Sequence, residues 1–179
     1  VPFAPEGKYG GRVAVTPIDA KRWRLLEPIC YIGDVDKFLV PEGYVTDFAS
    51  VPRIAVWLVP SYGRYTPAAI LHDYLLTDAL KSGRVTSNDA DGLFRRAMRE
   101  LGVPAVKRWL MWTGVRWGAL FSPYRRAGWA RSALGVLAIS AVALPVFIIP
   151  VVAVSLALVV YGTVEFIATG GRHSGTLST

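Results

Sequence analysis

His72 is the one histidine ahead of residue 173, and Asp73 follows it in ILHDYLL. Further carboxylates lie at Asp47 in TDFAS and at Asp89 and Asp91 in SNDADGLF. One imidazole and two or three carboxylates could hold a divalent cation or activate water: nitrogen with oxygen suits zinc, manganese or iron, and magnesium suits a site where oxygen predominates. On that reading His72, Asp91 and Asp47 are the candidate metal ligands, and together with Asp73 they are the candidate catalytic groups for moving protons. Plainer roles compete at every position. His72 on an apolar helix suits a core histidine bonded to a carboxylate, Asp91 suits a helix start, and Asp47 and Ser50 suit a turn whose oxygens hold the backbone. Asp73 inside an apolar helix needs a partner, which Arg53 or His72 could supply. Substituting either His72 by alanine or Asp73 by asparagine is therefore expected to cost about 1–3 kcal/mol through loss of a buried polar partner.

Several chemistries lack their motif. There is no HExxH, no glycine-rich phosphate loop and no other cofactor-binding signature, and an HD-type phosphohydrolase would need more histidines. Ser50 lacks the glycine-flanked elbow of a nucleophilic serine. Cys30 is the sole cysteine, so the chain forms no internal disulfide and no cysteine-based metal site.

The elements that must position these residues read as strands followed by helices, an α+β pattern. GRVAVTPI, KRWRLLEPICYI and KFLVPEGYV predict three short antiparallel strands, with turns at Ile18-Asp19-Ala20, Gly33-Asp34 and Pro41-Glu42-Gly43. Thr66 as cap and Pro67 at the first position predict a helix of about 14 residues through PAAILHDYLLTDAL. Ser87 is expected to cap a second helix that Gly102 closes, and a third runs from Pro104 to about Leu120. The loop from Lys81 to Ser87 is short enough to set the first two helices antiparallel, bringing His72 towards Asp91, with Asp47 able to join from the strand side.

Beyond the third helix the character changes. Residues 133–164 carry no charged side chain over 32 positions. About 20 apolar residues span a bilayer as helix, so this run predicts a transmembrane segment, either one kinked helix or a short hairpin turning near Pro145–Pro150. The resulting organisation is an N-terminal arm (1–9), a soluble α+β domain (10–121), a basic juxtamembrane linker (122–132), the membrane segment (133–168) and a disordered polar tail (169–179). The start, VPFAPEGKYGG, does not read as a signal peptide.

The formal charge of +7 gathers beside the apolar run. Lys107, Arg108, Arg116, Arg125, Arg126 and Arg131 lie between Leu101 and Arg131, with no acidic residue among them. Tryptophan and arginine ahead of a membrane segment suit the headgroup layer. Trp109, Arg116, Trp117, Arg125, Arg126, Trp129 and Arg131 are therefore the expected membrane-interface residues, and a bilayer with anionic headgroups the expected partner. Trp109 and Trp112 equally suit a domain core. No nucleic-acid-binding module is recognisable, so nucleic acid is not an expected partner. Arg172 and His173 are the only bases beyond the run, and the positive-inside rule then places the soluble domain in the cytoplasm.

VPEGYVTDFASVPR (Val40 to Arg53), PAAILHDYLL (Pro67 to Leu76), NDADGLFRRAMRELGV (Asn88 to Val103) and WLMWTGVRWG (Trp109 to Gly118) together resemble an uncharacterised, mostly phage- and prophage-encoded family, domain of unknown function 1353. The likeness covers about residues 10–120. It implies a viral or prophage origin and supplies no reaction. Two functions stay open. One is a membrane-anchored accessory or structural protein binding membrane or a viral or host envelope protein, its polar residues forming a structural network. The other is a membrane-anchored, metal-dependent hydrolase acting on an envelope or phosphate-containing substrate. A buried His72 favours the first, and an acid-rich pocket around it the second.

Overall fold

The computed structural model describes residues 3, 13–33, 37–48, 59–60 and 62–169. Ser50 and Arg53, the arm apart from Phe3, and the tail beyond Thr169 lie outside them. The fold is α+β, with small antiparallel sheets followed by a helical cluster. Five short strands replace the three expected: β1 (Val15–Pro17), β2 (Trp23–Leu25), β3 (Ile29–Ile32), β4 (Lys37–Val40) and β5 (Val45–Thr46). Pro28 and the Pro41-Glu42-Gly43 turn each divide one expected strand. Proline cannot donate to a ladder, and Gly43 takes φ +79°, a left-handed turn that favours glycine.

The strands form two antiparallel sheets, β1-β2-β5 and β3-β4. Val15 lies opposite Leu25, and Ile29 opposite Val40. At the β1–β2 turn the Asp19 carboxylate accepts from the Lys21 and Arg22 backbone amides and from Arg22 Nε. Those bonds stabilise the ionised carboxylate and hold its pKa down at about 2.

Helix α1 (Thr66–Tyr74) widens into a π-type turn at Leu75–Ala79 rather than continuing as regular helix. Thr66 does not cap it, because its hydroxyl instead accepts from the Gly63 amide, 2.8 Å away. Helix α2 (Ser87–Glu100) is capped one residue earlier than expected, by Thr86, in a reciprocal capping box with Asp89. Helix α3 (Ala105–Phe121) follows the turn at Gly102, which has φ +71°. Ile70 and Leu71 of α1, and Leu75 of the π-type turn, are fully buried between the sheets and the Phe94–Met98 face of α2, with Leu25, Tyr31 and Val40 on the strand side.

Residues 122–132 are not a loose linker. A 3₁₀ turn at Arg126–Ser132 is tied to α2 through the Asn88 amide, which donates to the Gly128 carbonyl at 3.1 Å. The chain then enters α4 (Ala133–Ala168), a single helix of 36 residues containing Pro145 and Pro150, with no hairpin. At about 1.5 Å per residue this is long enough to cross a bilayer, and it is apolar enough to do so. Its side chains from Ala141 onward are largely exposed, among them Leu156, Val160 and Ile167.

The folded unit extends into α4. Contacts divide the chain after Ser140, so the first two turns of α4 belong to the folded unit 1–140. Val136 is fully buried, and Trp117 Nε1 donates to Ser140 Oγ at 3.0 Å. A chain ending at residue 132 is thus expected to be about 2–4 kcal/mol less stable than one ending at 140, from the lost burial of Val136 and the lost hydrogen bond. Urea unfolding of the two truncations, followed by far-ultraviolet circular dichroism, measures the difference. Equal midpoints would mean that these turns contribute nothing to the domain.

Candidate functional site

His72 and Asp73 are neighbours on α1, so their side chains leave the helix about 100° apart and meet different elements. The four expected catalytic positions consequently divide into two groups.

His72 turns towards α2. Its Nε2 lies 2.7 Å from Asp91 Oδ1, and its ring packs on Phe94 with centroids 4.7 Å apart. The antiparallel arrangement of the two helices thus brings His72 and Asp91 into direct contact. Asp91 is completely buried, and it has two further partners. Arg125 Nη2 donates to Oδ1 at 2.8 Å, and Arg116 Nη1 donates to Oδ2 at 2.9 Å. The guanidiniums are themselves braced: Arg116 Nε donates to Ser132 Oγ at 2.8 Å and Arg125 Nε to Ser87 Oγ at 3.3 Å.

Burial on its own would raise the Asp91 pKa. The hydrogen bond and charge of His72, with the charge of Arg125 and the hydrogen bond from Arg116, more than reverse this and hold the carboxyl below the usual carboxylate range. An ionised carboxylate only accepts hydrogen bonds, so His72 Nε2 carries the proton between them. Burial depresses Arg125, the Asp91 carboxylate works against that shift, and Arg116 adds repulsion.

This geometry does not suit a metal. Both Asp91 oxygens receive N–H donors, and a cation placed there would face the buried Arg116 and half-buried Arg125 guanidiniums. Asp47 does not join the group: it is exposed, on the strand side. Among the described residues no three of His, Cys, Asp or Glu are grouped to hold a metal ion. Of the expected metal set, His72 and Asp91 meet and Asp47 stays apart, and Asp91 is a carboxylate shared by one imidazole and two arginines.

Asp73 turns instead towards β5. Thr46 Oγ1 donates to Asp73 Oδ2 at 2.6 Å and accepts from the Phe48 amide at 2.9 Å. Its partner is thus Thr46 rather than His72. Phe48 has φ +64°, a left-handed conformation costly for a residue with a large side chain, and its ring stacks on Trp23 at 5.6 Å. The threonine bridge holds this strained turn against α1. Burial raises Asp73 to a pKa of about 7; the Thr46 bond opposes the rise and the nearby Asp47 charge adds to it. On the same side Tyr44, whose hydroxyl lies 3.0 Å from Thr77 Oγ1, is raised to about 12, chiefly by burial.

The expected interface residues also divide. Arg116 is 1% exposed and Arg125 is bound to Asp91, so neither is available to lipid headgroups: the buried carboxylate outcompetes the surface. Trp117 and Trp129 are half-buried against each other, with ring centroids 5.5 Å apart. Arg126 and Arg131 are exposed, as is Trp109, which stacks beneath Arg95. Trp112 is half-buried at the edge of Trp109, so neither tryptophan is a core residue.

These observations define a small α+β domain built round a buried carboxylate–guanidinium cluster and carrying one helix of membrane-crossing length. Residues 23–115 match a family described as proteins of unknown function, DUF1353, and the chain belongs to that family. Neither a curated protein nor a solved structure matches it. The matched segment contains Thr46, Asp47, His72, Asp73 and Asp91, whereas Arg116 and Arg125 lie just beyond it.

Proposed function

We propose that this protein is a membrane-anchored accessory module of phage or prophage origin, held by α4 with its domain in the cytoplasm, that binds membrane or an envelope protein. The complete burial of Asp91 among His72, Arg116 and Arg125 carries this reading. His72 and Asp91 are engaged with each other and with two arginines inside the fold. Full-length protein should stay with membranes through alkaline carbonate washing, and a chain ending at residue 140 should be soluble. A full-length chain released by carbonate would overturn the anchor.

Topology is expected to follow Arg126 and Arg131, the exposed bases ahead of the helix. Replacing both with glutamate should expose the domain to protease outside the inner membrane in a fraction of molecules. Arg125 is a poor probe for this purpose, because an acid there would also break the Asp91 cluster. Unchanged protection in the Arg126→Glu, Arg131→Glu chain would remove these bases as the topology signal.

A second reading rests on Asp73. A carboxyl titrating near pH 7 can both accept and donate protons, so a hydrolase of envelope or phosphate-containing substrates would use Asp73 with Asp47 rather than His72. Hydrolysis by the full chain, lost in a folded Asp73→Asn variant, would place this reading first.

A further inference from the structure

The α2–α3 hairpin carries a second cluster of charge that the buried network does not use. The tight turn at Gly102 folds Arg108 and Trp109 of α3 back against α2, where Arg95 and Arg96 lie one turn before Arg99. Together with Gly92 they line a cleft of about 360 Å³. That volume is in the range of small-ligand sites. Arg95 lies over the Trp109 ring, its guanidinium carbon 4.1 Å from the centroid, which fixes the plane of the guanidinium.

Among the described residues, one carboxylate pairs with this cleft, that of Glu100. Arg96 pairs with Glu100 Oε1 at 2.9 Å, and Glu100 Oε2 accepts from the Tyr31 hydroxyl at 3.0 Å. That carboxylate is therefore spent. Among the described residues Arg95, Arg99 and Arg108 have no carboxylate partner. Burial and the repulsion of Arg99 and Arg108 lower the Arg95 pKa, as crowding of like charge requires.

We propose that this cleft binds a phosphate group, carried by a phospholipid headgroup or by a free phosphate ester, through the guanidiniums of Arg95, Arg99 and Arg108. Three guanidiniums offer more donors and more charge than one carboxylate can use, whereas a phosphate monoester brings nearly two charges and three acceptor oxygens. A nucleic-acid backbone would need a longer basic track than one compact cleft. Gly92 lines the cleft, and a Cβ there would meet no atom within 4 Å, so a larger side chain at this position has room to enter it. This deepens the membrane-binding reading by naming the chemistry that its basic surface recognises.

The test is calorimetric titration of the full chain, in phosphatidylcholine nanodiscs at low salt, with inorganic phosphate. Arg99→Glu and Arg108→Glu should each weaken binding by about tenfold or more, as loss of a charge-assisted hydrogen bond does. Gly92→Leu should weaken it similarly by filling the cleft at constant charge, and circular dichroism should show all three variants folded. Soluble short-chain phosphatidic acid and glycerol phosphate then identify the source: a preference for the lipid form marks a headgroup site, and equal affinity a site for free esters. No binding by the parent chain, or binding within twofold of it in Gly92→Leu and Arg99→Glu, would overturn the proposal. Release of the full chain by carbonate would defeat the anchor while leaving phosphate binding standing, so the two failures are distinguishable.

Discussion

Replacing Asp91 with alanine is expected to lower the unfolding free energy by about 3–5 kcal/mol, the scale on which removing one partner of a buried ion cluster leaves uncompensated charge. Among the described residues Asp91 is the one carboxylate facing both Arg116 and Arg125, and all three approach from different elements: α2, α3 and the segment after it. Without it, two guanidiniums confront each other in the interior. His72→Ala should cost less, about 1–3 kcal/mol, because Asp91 keeps both arginines. Urea unfolding of the two variants in the chain ending at residue 140 compares them. An Asp91→Ala loss no larger than that of His72→Ala would refute the central role of the carboxylate.

The same cluster sets the acid limb of stability. Asp91 has a folded-state pKa below the ordinary unfolded value of about 3.9, so near that pH the unfolded chain binds more protons than the native one. Stability from this group is fully present above about pH 4 and falls as pH drops through the folded value. Asp91→Ala should flatten that limb.

Asp73→Asn is expected to do the reverse of what a lost buried partner implies. Asp73 titrates at about 7 in the folded protein. Against an unfolded value of about 3.9, the native state binds more protons between roughly pH 4 and 7, and ionisation costs stability across that window. Asparagine keeps an oxygen to accept from Thr46 and removes both the buried charge and the repulsion from Asp47. The variant should be roughly 2–4 kcal/mol more stable than the parent at pH 8–9, with the gain shrinking towards pH 4. Unfolding midpoints measured from pH 4 to 9 give the curve. A variant less stable than the parent at every pH would restore the view of Asp73 as an indispensable buried partner.

The features legible along the chain are those decided within a few residues. The charge-free run from Ala133 needs only length and composition to read as a membrane-crossing helix. The Asp19 turn, the stop at Gly102 and the α+β order follow from turn chemistry and periodicity. Even the closeness of His72 and Asp91 follows from a short loop between two helices. What the spacing left open was direction: both His72 and Asp73 lie on α1, and only the packing of α2 on one side and β5 on the other sends them to separate partners.

Arg116 and Arg125 show the limit most clearly. As sequence they are two bases near a membrane segment, indistinguishable in type from Arg126 and Arg131. Folding carries them 25 and 34 residues back along the chain to a carboxylate on α2. The reach of the domain into α4, through Val136 and Ser140, was hidden for a related reason: those residues sit inside an apolar run that reads as lipid-facing throughout. Hydrophobic periodicity and capping are local free-energy preferences, so composition reports them directly. Which charge a buried acid finds, and which end of an apolar helix a domain covers, depends on contacts between distant segments, and these exist only once the chain has packed.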